Sequence, residues 1–523
     1  MESRRTPIVE TGSGPVVGLE TGGIDRYLGI GYAAPPVGDL RWLPPQPPTG
    51  WTAPLEAFEY GGWCAQNELG VYSQPSKTED CLYLNVFTPK GCKKGDKRPV
   101  MVWIPGGGLI GGRSNDYNPA KFVNQGDVVF VSFNYRISVF GFFSHPALDE
   151  EGHDFANYGF MDQQLALQWV QQNIGNFGGD PDNVTIFGES AGGMSVFFHM
   201  ASPRSKGLFH KGIVQSGAFG HSPYQAGFNG VSPETAQSYA KEVVKRLGHA
   251  DDVDARALRS VSTEALLTAV RTFGYAATGM VAIDGTILPM SIKDAFDSGE
   301  FNHVPIINGG NRDEWTWMMG MLEAATDHVL TVEELPETLR SIFGAQAEEI
   351  ARQYPPEDYG GSPGLALANA LTDGFFVYSL LVTNQVLARQ VPIWAYQFND
   401  DTGPNPFPKV SFPYGAAHAL ELSYLFEDYL CARGASRPLS TDQAKLSRDM
   451  IANWTSFARV GDPNAPGTPP WPRYNETSQY LSLVPQRTEL IDELSINKAH
   501  RITELWEPLS HASGTPTRAS WQS

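Results

Sequence analysis

The 523-residue sequence predicts an α/β fold, a large and mostly parallel central sheet with helices packed on both faces. Three observations carry that prediction. Short β-branched and aromatic runs recur along the chain, helical patterning separates several of them, and one Gly-Glu-Ser-Ala-Gly pentad, 188–192, joins such a run to such a helix. The runs at 100–104, 128–133, 184–187, 212–215, 304–307 and 393–398 are nearly unbroken stretches of apolar residues, the pattern of strands covered on both faces. Segment 161–174 places Leu165, Leu167, Trp169, Val170 and Ile174 at spacings that include three and four residues, which predicts an amphipathic helix. In sheets of this kind the chemistry collects at the carboxyl ends of the strands.

Composition narrows the function classes. With 41% hydrophobic and 18% charged residues the chain is an ordinary globular one, and no repeat, low-complexity tract or long linker divides it, so residues 1–523 read as one domain. Acidic residues outnumber basic ones 57 to 38, and a net charge of -19 repels polyanions. The expected partner is therefore a small neutral or cationic molecule, with neither nucleic acid nor membrane involved, and the expected state is a monomer or homodimer. No run approaches the roughly 20 apolar residues of a membrane span, the richest, 374–382, being short and interrupted. Residues 1–14 lack the apolar stretch of a secretory signal, which predicts a cytoplasmic location, or a secreted or periplasmic one if a leader has been removed. Cys64, Cys81, Cys92 and Cys431 form no C-x-x-C pair, so no metal is expected, although Cys64 and Cys81 are spaced to close a short loop.

The pattern G-x-S-x-G occurs twice, at 188–192 and 360–364. The second copy follows the polar Pro355-Pro356-Glu357-Asp358-Tyr359 and reads as a Gly/Pro loop. The first follows Val184-Thr185-Ile186-Phe187 and precedes a helical run beginning near Met194, the strand-turn-helix context that turns a bland serine into an exposed nucleophile. A serine hydroxyl needs a base to take its proton and donors for the developing oxyanion. Pro105-Gly106-Gly107-Gly108, directly after the run 100–104, supplies backbone amides free of side chains, and Gly107, Gly108 and Ala191 are the expected oxyanion hole. With the pentad downstream, the alternative of a plain flexible glycine loop loses weight.

In this fold class the acid and then the base follow the nucleophile. His199 and His210 sit too near Ser190, and His500 and His511 fall in a polar C-terminal region. His418 lies between Gly415-Ala416-Ala417 and the apolar Leu420, Leu422, Tyr424 and Leu425, as in a loop feeding a buried helix. The acid is Glu314 or its neighbour Asp313, both in the polar turn after the run 304–307, and residue order leaves the two open. A histidine base predicts activity that falls as pH drops through a neutral-range titration.

These residues resemble the type B carboxylesterases, the cholinesterase-like branch of the α/β-hydrolases. The likeness extends over essentially the whole chain: the segment Tyr32-Ala33-Ala34-Pro35-Pro36-Val37-Gly38-Asp39-Leu40-Arg41, then Glu79-Asp80-Cys81-Leu82-Tyr83-Leu84-Asn85, and the block 157–193 with Phe177-Gly178-Gly179-Asp180-Pro181 ahead of the pentad. The resemblance implies an α/β-hydrolase fold whose helical insertions form a substrate gorge, hydrolysis of small-molecule carboxylic esters, and no cofactor. It implies Ser190 as nucleophile, Glu314 rather than Asp313 as acid and His418 as base. It further implies a Cys64–Cys81 disulfide and buried ion pairs of Arg41 with Glu79 and Arg136 with Asp162. Leu109, Glu189 and Ala277 are the expected pocket residues, Ala277 standing where the family carries a bulky aromatic. Two departures are visible: Pro105 replaces the usual His or Tyr before the glycines, and Gly31 replaces a common Pro. No Trp lies between Cys64 and Cys81, which argues against a choline ester as preferred substrate. The competing readings are an adhesion protein on the same scaffold, which would typically have lost the nucleophile or histidine, and an amide or carbamate hydrolase using the same groups.

Overall fold

The apolar runs become strands because both of their faces are covered: Val100, Met101, Val102, Trp103 and Ile104 are all fully shielded from solvent. The computed structural model describes residues 4–68, 73–222, 226–250, 252–271, 281–427, 429 and 438–512. Among these the strands are, in chain order, β1 (Arg4–Arg5), β2 (Val9–Thr11), β3 (Gly14–Val17), β4 (Leu19–Thr21), β5 (Ile24–Gly31), β6 (Leu55–Glu56), β7 (Tyr83–Pro89), β8 (Arg98–Ile104), β9 (Val129–Phe133), β10 (Gly179–Glu189), β11 (Lys211–Gln215), β12 (Ile306–Asn311), β13 (Ile393–Phe398), β14 (Gln479–Leu483) and β15 (Glu489–Asp492). Twelve of them form one sheet in the order β1-β4-β5-β7-β9-β8-β10-β11-β12-β13-β14-β15, and β2, β3 and β6 form a small separate one. The pairings from β9 through β14 are parallel, and the flanking pairs are antiparallel.

The order explains where a site can form. The chain leaves β8 for β9 on one side and then returns to place β10 on the other, so β8 and β10 adjoin at a point where the winding reverses. Side chains alternate between two cores: Val100, Val102 and Ile104 join the first, Met101 and Trp103 the second. The helices Tyr158–Asn173 and Ala191–Ala201 cover the first face, and Thr441–Val460, opened by a capping box between Ser440 and Gln443, covers the second. The 304–307 run becomes a strand only from Ile306 and continues to Asn311, while the helix expected near Met194 starts three residues earlier, at Ala191, within the pentad itself.

One expectation is corrected. Pro363–Leu387 is a continuous helical stretch of 25 residues containing an 18-residue window of mean hydropathy 1.6, long and apolar enough by length and composition to cross a bilayer. Reading the apolar run alone stopped at the polar Thr383 and Asn384, whose side chains are buried here rather than exposed. Most of the stretch, 83% of its apolar window, is buried within the fold.

The covalent and ionic ties implied by the resemblance are present. Cys64 and Cys81 form a disulfide across a sequence separation of 17. Arg41 meets Glu79 at 2.5 Å, and Arg136 meets Asp162 at 2.8 Å, with Asp162 fully buried.

Candidate active site

β10 ends at Glu189 and the helix Ala191–Ala201 begins at once, so Ser190 must turn the chain alone. It does so at φ 56° and ψ -124°, a strained conformation for a residue with a side chain. The turn is held because the Ser190 N–H donates to the Gln215 carbonyl on β11 at 2.8 Å. It is also held by crowding: a Cβ on Gly192 would collide with the Ile104 carbonyl at the end of β8. Ser190 consequently stands in a cavity of about 80 Å³ lined also by Gly107, Gly108, Glu189, Ala191, Phe219, Phe228, Trp315, Trp317, Met318, Phe376, His418 and Ala419. Among the described residues, the amides of Gly107, Gly108 and Ala191 donate to no protein acceptor, which leaves three N–H groups beside the serine. A larger groove, about 570 Å³, lies at the far end of the helix by Met200, Phe209 and Phe301, with Lys206, Glu300, Asn302 and His303 on its rim and none of Ser190, Glu189 or His418.

The two carboxylates left open by residue order separate by what they touch. Glu314, buried after β12, takes the Asn311 N–H on Oε1 at 2.7 Å and faces His418 Nδ1 with Oε2 at 2.6 Å. Asp313 turns away and ties the preceding loop, accepting the Ala416 N–H at 2.7 Å and the Arg312 guanidinium at 2.8 Å. Trp317 stacks on the His418 ring at 5.7 Å and 14°, and Phe376 meets it edge-on at 5.2 Å, so the imidazole is clamped between two aromatic side chains.

On its other nitrogen, His418 Nε2 lies 3.0 Å from Glu189 Oε1, an oxygen with no well-directed hydrogen bond. Glu421 adds a third carboxylate nearby, held by Asn311 Nδ2 at 2.8 Å and Gln215 Nε2 at 3.1 Å. Burial alone would lower the imidazole's pKa, but Glu189 and Glu314 together outweigh it and hold His418 up at about 9. Burial likewise pushes Glu189 up to about 8 and Glu421 to about 6. The imidazole's own value therefore stands above the neutral range expected from an isolated histidine.

Of the residues singled out from sequence, Ser190, His418, Glu189, Gly107, Gly108 and Ala191 line one cavity, with Glu314 directly behind His418. Leu109 does not line it: it is fully buried with φ 60°, its carbonyl accepting the Ser138 N–H. Ala277 lies outside the described residues. Sequence reasoning missed the aromatic wall and Glu421. Two signals were available: the density of Trp315, Trp317 and Met318 just after Glu314, and the three-residue spacing from His418 to Glu421.

With this geometry in hand, residues 5–501 match the family model described as "Carboxylesterase family". The chain is similar to cocaine esterase of Homo sapiens, 33% identical over 515 residues covering 91% of this chain and 88% of that one. It is similar to para-nitrobenzyl esterase of Bacillus subtilis, 34% identical with 90% and 93% covered. Among solved structures, a carboxylesterase of Geobacillus stearothermophilus superposes with a TM-score of 0.80 at 32% identity, covering 94% of this chain and 99% of that one.

Proposed function

The chain belongs to the carboxylesterase family and is a carboxylic ester hydrolase, and from that premise we propose that it works through an acyl-enzyme formed on Ser190. The observation that carries this reading is the buried contact from Glu314 Oε2 to His418 Nδ1 at 2.6 Å, in a histidine that shares its cavity with Ser190. Ser190 Oγ attacks the ester carbonyl while His418 Nε2 takes its proton, and the carbonyl oxygen becomes an oxyanion. That charge is received by the amides of Gly107, Gly108 and Ala191. Collapse of the intermediate breaks the bond to the alcohol, which leaves with the proton from His418. A water then repeats the sequence on the acyl-serine and releases the acid. Glu314 orients the imidazole and stabilises its charged form without itself taking the proton.

The walls support a reading of the substrate class. Phe219, Phe228, Trp315, Trp317 and Phe376 present apolar faces, which suits the hydrocarbon parts of neutral esters from small to bulky. The test is a panel of p-nitrophenyl and aryl esters of graded acyl length with purified protein and Ser190→Ala. Wild type should turn the panel over. The variant should fold and retain only the residual rate that the oxyanion donors and binding supply, roughly 10³–10⁴-fold over water. An organophosphate should label wild type on Ser190, and wild-type turnover in Ser190→Ala would refute the mechanism.

A further inference from the structure

Among the described residues two segments are wound as π-helix, Thr372–Val377 within the long buried helix and Ile502–Trp506 near the C-terminal end, and they pack against each other. Such turns insert an extra residue into the helical ladder and are kept where a side chain has to be re-aimed. Their contact is specific: a Cβ on Gly374 would run into the Trp506 indole, so only glycine lets the two approach.

Asp373 sits in this contact, with 2% of its surface exposed. Its Oδ1 lies 2.5 Å from His500 Nδ1, and its Oδ2 accepts the Tyr354 hydroxyl at 2.6 Å. Tyr354 Oη in turn accepts the Trp506 indole N–H at 2.8 Å, and the Arg501 guanidinium lies 4.6 Å over the Tyr354 ring. On its outer side His500 Nε2 is 3.3 Å from Gln397 Nε2 on β13. This buried acid and histidine have no part in the ester chemistry described above, yet the turn they hold meets two residues of the cavity wall, Phe376 and Trp315, and ties the neighbouring Ser222. Phe376 lines the cavity and packs on both His418 and Phe219 at 5.2 Å. Thr372 Oγ1 accepts the Trp315 N–H at 2.9 Å, and the Gly374 carbonyl accepts the Ser222 hydroxyl at 3.1 Å.

We propose that Asp373, held by His500 and Tyr354, is a positioning residue for ester hydrolysis: it fixes the π-turn that sets Phe376 against His418 and so shapes the cavity wall seen by the substrate. The inference rests on the reading of that cavity as the ester site. Loss of the hold lets the turn relax toward ordinary α-helical register, which moves Phe376 relative to both the imidazole and the substrate. Bulky and small substrates then respond differently, because only the former press on the wall.

The experiment compares kcat/KM for p-nitrophenyl acetate and p-nitrophenyl benzoate in wild type, Asp373→Asn, His500→Ala, His500→Asn and Tyr354→Phe, all well below their unfolding temperatures. His500→Ala and Asp373→Asn should change the benzoate-to-acetate ratio by about 10-fold, since small displacements of positioning groups carry rate effects of that order. His500→Asn, whose Nδ2 occupies the position of Nδ1, should restore the ratio. Leu148→Ala, a buried truncation elsewhere in the core, should lower stability and leave the ratio unchanged. Tyr354→Phe removes a single hydroxyl and provides the same readout where the harsher variants do not fold. An unchanged ratio in the folded variants, or a shift of equal size in Leu148→Ala, overturns the positioning role while leaving ester hydrolysis intact. A wild type inactive on both esters would instead overturn the ester site itself.

Discussion

Glu189 Oε1 stands 3.0 Å from His418 Nε2 while Glu314 Oε2 stands 2.6 Å from Nδ1, so the imidazole meets a carboxylate at each nitrogen. The two contacts are not equivalent in use. Glu314 faces the nitrogen that orients the ring, and Glu189 faces the nitrogen that the proposed mechanism assigns to take the Ser190 proton.

The first prediction concerns pH. A negative charge beside Nε2 favours the imidazolium, and the base is the neutral form, so activity should fall as pH drops through a titration lying above that of an isolated histidine, His418 being held up at about 9. Removing one carboxylate disfavours the charged ring. Glu189→Gln should therefore move the acid limb of the kcat/KM profile to lower pH, by about 1 unit. Glu189 and His418 titrate as a coupled pair, so the measured values belong to the pair. A profile that stays in place, or moves to higher pH, would show that Glu189 does not act on the imidazole.

The second prediction separates neighbouring acids. Glu314→Gln replaces the carboxylate on Nδ1 by an amide that cannot stabilise the imidazolium, and kcat should drop by about 10⁴ with little change in KM. Asp313→Asn leaves the contact of Glu314 with His418 in place but weakens the tie to the Ala416 N–H and to Arg312. It should retain most of its kcat and lose about 1.5–3 kcal/mol of stability, the range for hydrogen bonds to a charged group. Steady-state kinetics and urea denaturation of the two variants decide the matter, and the reverse order of kcat values would assign the acid to Asp313.

Much of this was legible in the sequence for a physical reason. Strands buried on both faces announce themselves as apolar runs, and a nucleophile on a strand-to-helix turn needs glycines at fixed offsets, so β8, β10 and the turn at Ser190 could be located from residue order alone. Glu314 against Asp313 could not, because adjacent residues share one sequence environment and differ only in which way the turn after β12 aims them. The carboxylate at Nε2 was visible as a residue beside the serine, but its effect on His418 depends on a distance between segments more than 200 positions apart. Leu109 illustrates the opposite error: it adjoins the glycine loop in sequence, yet its positive φ turns the side chain into the core. The length of the helix Pro363–Leu387 was hidden because Asp373, Thr383 and Asn384 look like interruptions until their buried partners are known.

The last prediction concerns the buried pair beneath the helix Tyr158–Asn173. Asp162 takes Arg136 Nε and a second guanidinium nitrogen at 2.8 Å and the Arg136 backbone N–H at 2.9 Å, with both side chains buried. Arg136→Met leaves the carboxylate buried without its counter-charge, which should cost about 3–5 kcal/mol, whereas the double change Arg136→Met with Asp162→Leu should recover part of that loss. The pH dependence gives the cause away. Burial raises the Asp162 pKa above its ordinary 3.8 even with Arg136 lowering it, and removing Arg136 raises it further. An acid whose folded value lies above its unfolded one stabilises the fold when protonated, and that contribution is lost as pH rises through the folded value. The stability deficit of Arg136→Met relative to wild type should thus be smaller at pH 5 than at pH 8, read as the difference in urea midpoint. A deficit independent of pH would mean that the loss comes from the Arg136 guanidinium's contact with the Tyr158 ring and its bond to the Leu43 carbonyl rather than from the stranded charge.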